Sequence, residues 1–161
     1  MAAFTRNVTT NGSWPLQGEV YFNLFDRYIG FAVEDAATLE YVERCATYLN
    51  GLSERVIDDF CKACVTYRSD YLEMLGSTAE PLLAERDVLM LLTPLTLLVP
   101  NPANGGEPLL HLELNCAWDT DNGLEWIARG EKNLYVGGFN AQPAWADYSR
   151  RQSWNYASLA A

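Results

Sequence analysis

Basic residues are scarce in this chain of 161 residues. Eleven Lys and Arg stand against 21 Asp and Glu, giving a net charge of -10 and a sequence pI near 4.4. So acidic a surface repels phosphate backbones and anionic bilayers, which argues against nucleic-acid binding and against membrane adhesion. Histidine is scarcer still: His111 stands alone, and any Ser-His-Asp or Cys-His chemistry would have to run through it. Gly-x-Ser-x-Gly, a phosphate-binding glycine loop and His-Glu-x-x-His are all missing. Cysteine is too sparse for a disulfide scaffold, with Cys45, Cys61, Cys64 and Cys116 only. The most apolar run, Val88–Val99, is too short to span a bilayer and is interrupted by Pro94. The first residues show no basic start followed by an apolar stretch, so the chain reads as cytoplasmic. Repeats, low-complexity tracts and charge blocks are also missing. What is there is a globular composition, 49% apolar and 20% charged, at the size of one domain.

Asn11–Gly18 reads as a polar leading loop. Glu19–Val33 is rich in Val, Tyr, Phe and Ile with a break at Asp26-Arg27, which predicts a hairpin of strands over about 19–25 and 28–33. Leu39, Val42, Cys45, Ala46 and Leu49 recur at steps of three and four, the apolar face of a helix with Asp35 as its N-cap and Gly51 at its end. Val56, Ile57, Phe60, Cys61, Cys64, Tyr67 and Tyr71 make the stripe of a second helix, capped by Ser53 and stopping at Gly76. The short link Asn50–Ser53 predicts an antiparallel helical hairpin. Pro81–Leu92 fits a short helix or the start of a strand, Pro94 argues for an edge or a break, Thr96–Val99 reads as extended, and Asn101–Glu107 reads as a loop.

Pro108–Trp118 alternates cleanly. Leu110, Leu112, Leu114, Cys116 and Trp118 point one way, and His111, Glu113 and Asn115 the other, as in a half-buried strand. Asp119–Gly123 ends in Asn-Gly, a strong hairpin signal, so the return strand is Leu124–Arg129 and Trp118 can meet Trp126 across the turn. Gly130–Asn133 turns again into Leu134–Gly137. The aromatic tail Trp145–Tyr156, with Arg150-Arg151, predicts a short helix or an arm packed on the sheet. The fold class is α+β: one domain over 1–161, an antiparallel sheet made of the N-terminal hairpin and the C-terminal meander, packed by the two-helix hairpin.

Cys61-Lys62-Ala63-Cys64 lies inside a helix on its apolar stripe and lacks a second pair, so it reads as core rather than as a redox or zinc motif. Asp119-x-Asp121 suggests calcium, but counting Asp119 as first puts Gly123 fifth and Gly130 twelfth, where an EF-hand loop needs Gly sixth and Glu twelfth. Acids in a hairpin turn commonly bond their own backbone. No catalytic residue, metal ligand or cofactor is assigned.

Leu114-Asn115-Cys116-Ala117-Trp118-Asp119, then Gly123-Leu124-Glu125-Trp126, then Tyr135-Val136-Gly137, resembles an uncharacterised bacterial domain family. Its members carry Cys-x-Trp-Asp, then Glu-His-Gly-Leu, then Val-Gly. The resemblance covers about residues 88–140, and Asp121-Asn122 stands where the family has Glu-His, so no role for that His carries over. The family is similar to immunity-type proteins of bacterial toxin systems, which implies a setting rather than a reaction. The expectation is a non-catalytic acidic protein that blocks a basic partner by occlusion, with Asp119, Asp121, Glu125, Trp126, Glu113 and His111 as contacts. A small carboxylate-dependent hydrolase and a structural homo-oligomer, a homodimer for instance, are the alternatives.

Overall fold

The computed structural model describes residues 3–34, 37–150 and 152–158. Seven strands form one sheet in chain order: β1 (Thr5–Thr9), β2 (Gln17–Phe22), β3 (Arg27–Val33), β4 (Leu92–Val99), β5 (Leu110–Cys116), β6 (Asp119–Arg129) and β7 (Lys132–Gly137). Helices α1 (Leu39–Leu49) and α2 (Glu54–Met74) lie between β3 and β4, followed by a 3-10 segment, Glu85–Leu91. The class is α+β.

One strand pair departs from the expected all-antiparallel sheet. β3 and β4 are parallel, with Gly30 opposite Thr96 and Val33 opposite Val99. Parallel neighbours need a long crossover, and the chain from Glu34 to Leu91, with both helices, supplies it. Pro94 lies in β4 ahead of the stretch paired to β3 and beside an irregularity in the pairing to β5. Its missing N–H therefore costs no bond to β3.

The N-terminal hairpin is β2–β3, but its first strand ends early. Asn23–Phe25 is a 3-10 turn, closed by Asp26 in the left-handed region (φ 49°). β1 has no counterpart in the expected elements, because TRNVT is polar and shows no alternation. Pairing to β2 holds it, and Glu43 of α1 accepts bonds from Phe4 N and Thr5 Oγ1.

The N-cap of α1 is Thr38, whose side chain accepts from Tyr41 N; Asp35, the expected cap, lies outside the described residues. Ser53 caps α2 by accepting from Val56 N at 3.2 Å. Asn50, between the helices, donates through Nδ2 to Tyr21 O and to Ala46 O, which ties the helix end to β2. Val42, Cys45, Leu49, Phe60 and Cys64 share a buried cluster with Leu97, Leu112, Leu114, Trp126 and Val136. Its centre is a parallel stack of Phe60 on Trp126, centroids 3.6 Å apart.

The β5–β6 connection corrects the expected turn. The chain reverses at Ala117-Trp118, and Cys116 pairs with Asp119. Thr120–Gly123 then bulges, so that the regular register resumes at Leu114 opposite Leu124. Gly123 has φ 70°, and a Cβ there would lie 2.8 Å from Leu114 O. Asn-Gly thus marks the bulge, where backbone approaches backbone, and not the reversal. Trp118 packs edge-on to Tyr67, while Trp126 sits opposite Leu112, so the expected pairing of the two indoles does not form.

The tail is an arm without a helix in its described residues. Tyr156 N donates to Val136 O, and Asn155 accepts from Val136 N and donates to Leu134 O. These bonds cover part of the outer edge of β7. Arg151 lies outside the described residues.

Candidate functional site

Strand parity builds the site. Leu110, Leu112, Leu114, Leu124, Trp126, Ala128 and Val136 enter the main core. Their neighbours His111, Glu113, Glu125, Ile127 and Tyr135 therefore project from the opposite face. There Ile127 and Tyr135 form a second cluster with Leu109 and Ala144, joined by Trp145 and Tyr148 of the arm. The arm crosses only part of this face. Beside it runs a groove of about 500 Å³, walled by Leu98, Pro100, Phe139 and Trp145 and lined by His111 and Glu125.

Alternation predicts an exposed or half-exposed His111 on the polar face of its strand, yet it is 7% exposed and Glu125 is 0% exposed. The arm and the groove wall shield a face that alternation alone assigns to solvent. Nε2 of His111 lies 2.6 Å from Oε2 of Glu125, and Asn140 N donates to Oε1 at 3.3 Å. Both carboxylate oxygens are thereby engaged, as a buried charge requires. No described group hydrogen-bonds to Nδ1 of His111. Trp145 Nε1 donates to Asn101 O at 2.9 Å, which fixes the far wall of the groove.

Glu113 stands directly opposite Glu125 in the β5–β6 register. Burial, then the Glu125 charge, pushes its carboxyl above the usual carboxylate range, against a smaller lowering by His111. Like charges paired across a ladder repel. Among the described residues no Lys or Arg forms an ion pair with Glu113. Between Arg86 and Arg129 the sequence has no lysine or arginine at all, while it holds Asp87, Glu107, Glu113, Asp119, Asp121 and Glu125. This gap was the available signal for a locally negative sheet.

A second, shallower depression adjoins the groove and is lined by Leu95, Glu113, Asp121 and Phe139. Phe139 borders both and is 53% exposed. Phe139 and Asn140 carry no periodic signal, because both lie in irregular chain.

The other expected contacts divide. Asp121 is exposed. Asp119 is buried, and its Oδ1 accepts from Asn122 N at 3.1 Å and from Asn122 Nδ2, which is turn chemistry. Trp126 is fully buried on the helix-facing side and donates through Nε1 to Asn133 Oδ1 at 2.7 Å. It therefore leaves the set of surface contacts: its parity follows Leu124 and Ala128 into the core. Cys45, Cys61, Cys64 and Cys116 are buried free thiols. No group of His, Cys, Asp or Glu among the described residues is placed to hold a metal ion. No helix among them is long and apolar enough to cross a membrane.

The molecule is thus an α+β domain on one mixed sheet, with a carboxylate–histidine pair in a groove on the outer face. The chain belongs to a family described as a domain of unknown function (DUF6985), whose model matches residues 4–143. The match takes in every strand, both helices and Phe139. No curated protein and no solved structure matches the chain.

Proposed function

We propose that this is a cytoplasmic, non-catalytic binding protein of the immunity or antitoxin type, which occludes a basic protein partner through the outer face of its sheet. The observation that carries the reading is Glu113, a half-buried carboxylate facing the Glu125 carboxylate without a basic partner. A cation arriving from outside relieves that repulsion. Phe139 and Leu95 beside it supply exposed apolar area, and Asp121 an acidic rim, the composition of an interface centre and its border. The net charge of -10 speeds encounter with a basic surface. In this reading α1 and α2 form a helical hairpin backing the opposite face, which leaves the outer face to the partner.

The test is capture from the native cytoplasm at low and high salt, with wild type and Glu113→Gln in parallel. One basic protein, retained by wild type at low salt and lost both at high salt and with Glu113→Gln, is the expected result. Capture of no protein, or equal capture by both forms, overturns the proposal.

The His111–Glu125 pair favours a second reading, a small carboxylate-dependent hydrolase. His111 and its carboxylate partner Glu125 both line a groove of ligand size, the residue types that general base chemistry uses. Hydrolysis of a panel of simple esters and amides that is lost in His111→Gln would support it. Equal background rates in the two forms would end it.

A further inference from the structure

We infer that the outer edge of β7 is a latent pairing surface for a second copy of this chain, and that the Asn155 carboxamide blocks it by standing in for a neighbouring strand. The inference lies beyond the binding reading above and uses a different part of the molecule.

The two edges of the sheet are β1 and β7. An open edge presents a row of main-chain donors and acceptors to any other strand. β1 protects itself. TRNVT is short and polar, its pairing is irregular between Arg6 and Thr9, and Asn7 stands at φ 54°. β7 instead carries Leu134-Tyr135-Val136, residues that favour strands, and no proline.

Protection of β7 comes from the arm. Nδ2 of Asn155 donates to Leu134 O at 2.8 Å, and its Oδ1 accepts from Val136 N at 3.1 Å. One planar carboxamide thus offers a donor and an acceptor where an adjacent strand offers a peptide N–H and C=O. Tyr156 N donates to Val136 O at 2.8 Å, a third outward-facing group. The carboxamide is itself fixed in place. Its Oδ1 also accepts from Ala157 N at 3.0 Å, Asn155 N donates to Gln152 O, and the residue is 3% exposed. Tyr156 next to it stacks on Tyr67 of α2, centroids 5.0 Å apart.

The covered groups are self-complementary, which selects a second copy as the occupant. In an antiparallel pair about a two-fold axis, Leu134 of one copy lies opposite Val136 of the other, and the two exchange N–H and C=O groups. The sheets then join edge to edge. Repulsion between two chains of net charge -10 opposes the union, so salt favours it. While the arm is docked, the same groups are engaged within one chain.

The test is sedimentation equilibrium of the full chain at high salt over a range of concentrations, with hydrogen exchange at Val136 N read on the same samples. Two variants undock the arm in different ways. Asn155→Ala removes both carboxamide bonds, and Gly137→Ala places a methyl group against the carbonyl oxygen of Trp154. Each is checked for folding by circular dichroism, and either one that folds decides the matter. Wild type is expected to stay monomeric with Val136 N protected throughout. Each variant should double its mass as concentration rises. Its Val136 N should exchange about tenfold faster than wild type when dilute, the loss of one hydrogen bond, and regain protection when concentrated.

A folded variant that stays monomeric, or that doubles in mass while Val136 N remains unprotected, overturns the latent edge. Doubling of wild type to the same extent overturns the block by Asn155.

Discussion

His111 Nε2 and Glu125 Oε2 lie 2.6 Å apart although fourteen residues separate them in sequence. His111 sits opposite Ile127 and Glu113 opposite Glu125, so the pair is a diagonal contact across the ladder. Removing one member strands the other. His111→Leu leaves a buried carboxylate without its ring partner and is expected to cost about 3–5 kcal/mol in urea unfolding at neutral pH. The double variant His111→Leu, Glu125→Leu should recover most of that loss, because an apolar pair leaves no buried polar group without its partner. A single variant as stable as wild type would show that the pair is not closed off from water.

Glu113 has the opposite sign. Its carboxyl is raised above the ordinary value of 4.5, so folding favours the protonated form. That contribution is complete below the unfolded value and is lost as pH rises through the folded value. Glu113→Gln should therefore be more stable than wild type at pH 7, with the difference closing as pH falls from the raised folded value towards about 4.5. Thermal unfolding of both proteins from pH 3 to pH 8 measures this. The same substitution is expected to abolish partner capture, so stability and binding part company at one residue.

Phe60 of α2 stacks on Trp126 of β6. Trp126→Phe keeps an aromatic ring against Phe60 but removes the indole N–H that Asn133 Oδ1 accepts. A cost of about 1–3 kcal/mol is expected for the stranded acceptor. Trp126→Ala should cost more, about 3–5 kcal/mol, through the cavity it leaves. Urea midpoints of the two variants check the order.

Gly137 tests how the arm is docked. A Cβ at this position would clash with the carbonyl oxygen of Trp154 and approach the Tyr135 hydroxyl. Gly137→Ala should push 154–157 off β7 and lift hydrogen-exchange protection from Val136 N, whose bond goes to Asn155 Oδ1. The central strands should keep theirs. Unchanged protection at Val136 would mean that the arm takes up the methyl without leaving.

The thiols should be inert in the native protein. Burial pushes Cys61 and Cys116 up to about 11 and Cys64 well above its ordinary value. Thiolate, the reactive form, is then scarce at pH 8 and rises only as pH approaches those values. A chromogenic disulfide reagent should label none of the four quickly at pH 8 and all four in urea. Rapid native labelling of Cys61 and Cys64 would reopen the redox reading of that motif.

The sequence by itself determined both helices, because three- and four-residue spacing from Val42 to Leu49 and from Val56 to Tyr67 has one burial solution, although Leu39, read as part of the first stripe, is exposed. It determined the alternation of β5 and placed His111 and Glu113 together on the other face. Those are local periodicities, written in neighbouring residues. Tertiary structure alone decided the parallel β3–β4 pair, since no local pattern encodes which strand a crossover returns to. It decided the reversal at Ala117-Trp118, where pairing of Cys116 with Asp119 prevailed over the Asn-Gly signal. It decided the burial of His111 and Glu125 as well. Alternation gives a side chain its face, but the irregular chain from Phe139 to Trp145 determines whether water reaches that face.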